Sequence, residues 1–148
     1  MVISTASAQV KENAPASLKG NWIPNTKKTI FDLTKDSVHQ FSVNLEAKGQ
    51  YEFYITQYGI DILARLTDPE GKKILDQDSP NGSNGPENFD YIPSVTGTFK
   101  LSIFPLDDSG NAVKGKYTLV IKKLNQQQIL DKEKTSRELE IENNKNVQ

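Results

Sequence analysis

Carboxylates near turns are the residues of this sequence best placed to do chemistry. Asp61, Asp76, Asp78, Glu87 and Asp90 all lie close to Gly, Pro, Ser and Asn turn formers. Calcium takes roughly six to eight oxygen ligands, several of them loop carbonyls. The loop from 76 to 90 is therefore expected to wrap one ion through Asp76, Asp78, Glu87 and Asp90. Asp107, Asp108 and Asn111 form a second donor group. Neither group has EF-hand spacing. The alternative for both is structural, since the same residue types build turns and keep loops solvated.

Other chemistries find little support. The 148 residues include no cysteine, so thiol nucleophiles, disulfides and thiolate metal sites are excluded. The one histidine, His39, shares parity with Phe41 and Val43 and is expected on the inward face of a strand. No G-x-S-x-G elbow accompanies it, and a triad needs several placed groups. Gly82 and Gly85 are not followed by the Lys-Ser/Thr of a phosphate loop. Net charge is -1, from 18 Lys+Arg and 19 Asp+Glu, which provides no field for nucleic acid or an anionic membrane. Tyr54 and Tyr58 have opposite parity to Tyr51, Phe53 and Ile55, so they point away from the core and offer flat surface to a sugar or polypeptide. The alternative is that they lie on a second covered face.

The elements that position these groups are strands. Phe41, Val43 and Leu45 alternate with polar residues, as do Tyr51, Phe53 and Ile55, then Ile60, Ile62, Ala64 and Leu66, then Phe99, Leu101 and Ile103, then Tyr117, Leu119 and Ile121. Period two is the signature of a half-buried strand. Shorter runs at 29–33, 73–76 and 89–92 bring the expected total to about eight strands, a spacing that suits an all-β sandwich or barrel. Asp68-Pro69-Glu70-Gly71 suits a type I turn. Gly97 and Gly115 precede strands and are expected to be turn residues that tolerate positive φ. Tyr117 is expected to pack between the sheets with its hydroxyl on a partner.

The flanks differ from this zone. Ala6-Ser7-Ala8 is an A-x-A cleavage pattern, so residues 1–8 are expected to be a signal-peptide remnant. Residues 9–26 are a polar lead-in with one short edge strand, and Trp22 is expected to pack it onto the domain at 27–124. Residues 125–148 lack aromatics, Gly and Pro and mix both charges, which predicts a polar helical or disordered tail. No apolar run approaches the roughly 20 residues needed to span a bilayer.

Over residues 37–123 the sequence resembles the bacterial pre-peptidase C-terminal domain. The resemblance rests on a series in order: Phe41-Ser42-Val43-Asn44-Leu45, Tyr51-Glu52-Phe53-Tyr54-Ile55, Gly59-Ile60-Asp61, Asp68-Pro69-Glu70-Gly71, Asp76-Gln77-Asp78, Thr96-Gly97-Thr98-Phe99-Lys100-Leu101-Ser102-Ile103, and Gly115-Lys116-Tyr117-Thr118-Leu119-Val120-Ile121. It implies a jelly-roll-like antiparallel β-sandwich in a secreted, periplasmic or cell-surface protein, with no catalytic residues of its own. It also implies a neighbouring catalytic domain, or an extracellular protein or polysaccharide, as partner, and allows bound calcium. A stand-alone secreted binding protein is the alternative, and a glycan-active sandwich enzyme a more distant one.

Overall fold

The computed structural model describes residues 10–145 apart from Asn13 and Asn81. The expected leader remnant lies outside the described residues. Ten strands and one helix follow in order: β1 (Ala16–Trp22), β2 (Thr29–Thr34), β3 (Val38–Leu45), β4 (Tyr51–Tyr58), β5 (Ile62–Thr67), β6 (Lys73–Gln77), β7 (Asn84–Pro86), β8 (Phe89–Tyr91), β9 (Gly97–Pro105), β10 (Lys114–Lys123) and α1 (Gln126–Lys145). One sheet runs β1-β3-β9-β5-β6. The other runs β2-β10-β4-β7, with β8 also pairing β4. All pairs are antiparallel except β1 with β3. The architecture is an all-β sandwich.

The alternating residues build its centre. Phe41, Val43, Leu45, Ile62, Ala64, Leu66, Phe99, Leu101 and Ile103 project from one sheet onto Tyr51, Phe53, Ile55, Tyr117, Leu119 and Ile121 of the other, all buried. A fully buried Leu, Ile, Val or Phe side chain contributes about 1.5–3 kcal/mol relative to exposure, so this shared face is the main source of stability. Trp22 packs edge-on to Phe41 and tilted against Phe31, tying β1 to the core as its size suggests.

Two features depart from the sequence reading. There are ten strands among the described residues instead of about eight: β1 is the edge strand expected in the lead-in, and β7, Asn84-Gly85-Pro86, carries no apolar alternation. Gly97 and Gly115 do not have positive φ. Their requirement is space. A Cβ on Gly115 would come within 2.6 Å of the Ile60 side chain, and one on Gly97 within 2.7 Å of Pro69.

The tail is a helix with a reciprocal N-terminal cap. Asn125 Oδ1 accepts the Gln128 N–H at 2.8 Å, and Gln128 Oε1 accepts the Asn125 N–H at 2.8 Å, which satisfies donors the first turn leaves open. Lys132 then pairs with Glu52 and Asp90 on the sandwich at 3.2 and 2.9 Å. No helix residue is buried.

Candidate cation site and binding face

Three segments far apart in sequence meet at one end of the sandwich. Asp61 precedes β5, Asp78 follows β6, and Glu87 lies between β7 and β8. One carboxylate oxygen from each falls within 4.8 Å of the others. Oxygens around one calcium ion, at roughly 2.3–2.6 Å from it, are separated by at most about 5.2 Å. The spacing therefore fits a single hard cation.

Each carboxylate is held differently. Glu87 is 0% exposed. Its Oε1 accepts from Gln57 Nε2 at 3.1 Å and its Oε2 accepts the Ser79 N–H. Gln57, equally buried, accepts the Ile62 N–H at 2.9 Å and donates to the Gly82 carbonyl at 2.8 Å, so one side chain ties β4, β5 and the 78–87 loop together. Asn111 fixes the Asp61 backbone, accepting its N–H at 2.9 Å and donating to its carbonyl at 3.0 Å. Asp61 Oδ1, however, is buried without a hydrogen-bond partner among the described residues. Buried polar atoms are nearly always satisfied, so an orphaned carboxylate oxygen asks for a cation. Asp78 sits on the solvent side.

The electrostatics agree. Burial, then the Asp78 and Asp108 charges, push the Asp61 carboxyl up to about 6. Burial also raises Asp78, and burial with the Asp78 and Asp61 charges raises Glu87. The charged side chains acting on Asp61 and Glu87 are themselves carboxylates. Like charges in a low-dielectric site are costly together, and a bound cation removes that cost. The donor set is all oxygen, which suits calcium or another hard cation.

Of the four residues expected in the 76–90 loop, the structure brings Asp78 and Glu87 into this group and places Asp76 and Asp90 elsewhere. Asp76 stands opposite Arg65 in the β5–β6 register and accepts from it at 2.7 and 3.1 Å, and from Lys73 at 3.2 Å. Asp90 pairs with Lys132. Both already have cationic partners. Asp61 takes their place, and its signal in the sequence was the Gly59-Ile60-Asp61 motif just before a strand. In the second acidic group, Asp108 caps its own turn through the Gly110 N–H at 3.0 Å.

The two tyrosines also separate. Tyr54 donates to Glu52 at 2.8 Å and lies under Lys122, whose Nζ is 5.0 Å from the ring centroid. It is engaged within the domain. Tyr58 is 50% exposed and borders a groove of about 530 Å³ with Asp32, Lys114 and Lys116. That groove adjoins the carboxylates: Gly59 N–H donates to the Ser83 carbonyl and to Asn84 Oδ1, both in the 78–87 loop. His39 faces inward, as its parity indicates. It is 4% exposed, and its Nδ1 lies 2.5 Å from the Tyr117 hydroxyl. Burial, with a smaller effect of Lys19, lowers its pKa to about 4.

Among solved structures, the chain is similar to the pre-peptidase C-terminal domain of a collagenase from Bacillus anthracis, with 21% identity and a TM-score of 0.54, over 74% of this chain and 99% of that one. It is also similar to PliG of Aeromonas hydrophila, a periplasmic inhibitor of g-type lysozyme, with 8% identity and a TM-score of 0.56, over 74% of this chain and all of that one at 100%. No family model matches the sequence, and no match was found among curated proteins. At these identities the likeness is one of fold.

Proposed function

We propose that this chain is a non-catalytic, exported binding module whose Asp61–Asp78–Glu87 end holds a calcium ion and whose adjoining face presents Tyr58 to an extracellular polymer or protein. The observation that carries the proposal is the meeting of three carboxylates around a buried Asp61 oxygen that has no hydrogen-bond partner among the described residues. The ion supplies charge neutralisation and cross-links Asp61 to the 78–87 segment. Gln57, Ser79 and Asn111 orient the carboxylate segments.

The fold likenesses support a binding role. One similar structure is the pre-peptidase C-terminal domain of a collagenase and the other is described as a periplasmic lysozyme inhibitor. Export agrees with both, and no helix among the described residues is long and apolar enough to cross a membrane. The buried His39 argues against an acid–base role for the one imidazole, because its Nδ1 is engaged by the Tyr117 hydroxyl.

Two measurements test this reading. Titration calorimetry with calcium chloride is expected to show one site per chain, lost in Asp61→Asn with Asp78→Asn. Affinity electrophoresis through gels containing gelatin or a soluble polysaccharide is expected to retard the chain with one of these polymers. Tyr58→Ala is expected to relieve that retardation while leaving the melting temperature within about 2 °C, since an exposed substitution changes stability by about 0.5 kcal/mol or less. Equal mobility of the parent and Tyr58→Ala chains in every gel contradicts the role of Tyr58.

A further inference from the structure

A second groove opens at the other end of β5, away from the carboxylates. It has a volume of about 450 Å³ and lies between the β5–β6 turn and the β8–β9 loop. Its wall is apolar and aromatic: Ile74, Tyr91, Val95 and Phe99. Val95 is 52% exposed and its neighbour Ile92 57%, an unusual display of branched apolar surface on one short loop. Val95 borders the groove itself, and exposed apolar surface beside a groove suits a contact surface.

The groove is preformed. Asp68 Oδ1 accepts the Glu70 and Lys72 N–H groups at 2.9 and 2.8 Å, which fixes the turn. Pro69 packs on Gly97, where any side chain would collide. On the opposite rim the Thr96 hydroxyl accepts the Ala47 N–H at 2.9 Å, and the Pro93 carbonyl accepts the Lys48 N–H at 2.8 Å. A site held open before binding loses less entropy when filled.

Charge selects the occupant. Asp68 and Glu70 stand on the rim, no lysine or arginine lines the groove, and neither carboxylate is in an ion pair among the described residues. We infer that this groove receives a lysine or arginine side chain projected by a partner protein. Such a side chain lays its aliphatic stem on Ile74 and Val95, presents its cation to the Tyr91 ring, and ends at the Asp68 and Glu70 carboxylates. A neutral apolar side chain would cover those carboxylates without pairing them, and an acidic one would meet like charge. The inference stands apart from the calcium proposal, which concerns other residues at the other end.

The test is a proton–nitrogen correlation NMR titration of the full chain with acetyl-Ala-Lys-Ala-amide and acetyl-Ala-Arg-Ala-amide. Acetyl-Ala-norleucine-Ala-amide serves as the uncharged control. Saturable shifts confined to residues 68–74 and 91–99, produced by the basic peptides and not by the control, are expected. The Asp68→Asn/Glu70→Gln variant keeps the turn cap and should therefore fold. Affinity in that variant is expected to fall at least tenfold, while calcium chloride shifts other residues. No saturable shift, equal shifts from the norleucine peptide, or unchanged affinity in the double variant would each overturn the inference. Shifts of these residues by calcium chloride in place of the peptides would also overturn it, because they would make the groove an ion site.

Discussion

His39 and Asp61 show how two buried ionisable residues set opposite responses to acid. His39 titrates near 4 when folded and near its ordinary 6.5 when unfolded. Between those values the unfolded chain binds more protons, so stability is full above pH 6.5 and is lost as pH falls toward 4. Asp61, in metal-free protein, has the reverse sign. Its folded value of about 6 exceeds its ordinary 3.8, so stability is gained as pH falls from 6 to 3.8. In chelator, denaturant melts across this window are expected to show His39→Gln losing the acid-induced destabilisation and Asp61→Asn steepening it. Identical pH slopes in both variants would contradict the assignment. Gly115 makes a separate point. With the Ile60 side chain 2.6 Å from where a Cβ would sit, Gly115→Ala is expected to cost about 1–3 kcal/mol by overpacking, read as a lower denaturation midpoint.

Among the elements, what was legible in the sequence was what apolar alternation encodes. β3, β4, β5, β9 and β10 follow from it, and they form the interior faces of both sheets. β1 and β7 do not, because their pairing satisfies backbone groups and leaves most of their side chains exposed, whereas β8 was legible from Phe89 and Tyr91, which pack against the core. The candidate site was half legible for a related reason. Asp78 and Glu87 lie on one loop, but Asp61 joins them only through sheet pairing. Asp76 is lost to Arg65 through a cross-strand register that composition does not reveal. The helix was legible as a polar segment, and its Asn125–Gln128 cap explains where it starts. Because no α1 residue is buried and its ties to the sandwich are surface ion pairs, such contacts contribute about 0–1 kcal/mol. A chain ending at Asn125 is expected to melt within about 3 °C of the parent by circular dichroism. A drop beyond 10 °C would show that the helix is part of the cooperative core.

At the scale of the whole molecule, the sandwich joins two ends with different chemistry. One carries the converging carboxylates beside the Tyr58 groove, and the other carries the acidic groove at the β5–β6 turn. Neither end brings a placed nucleophile to a base. The proposed binding role depends first on an ion completing the carboxylate end. The most direct measurement is a thermal melt of the chain in calcium and in chelator, alongside Asp61→Asn/Asp78→Asn. A ligand at one hundred times its Kd stabilises the folded state by about 2.7 kcal/mol, which corresponds to a rise on the order of 5–10 °C for a domain of this size. The account predicts that rise for the parent chain. It predicts no calcium response for the double variant, whose melt in chelator lies no lower than the parent's because carboxylate repulsion has been removed. A parent melt that is the same in calcium and in chelator, or a calcium response that survives both substitutions, would contradict it.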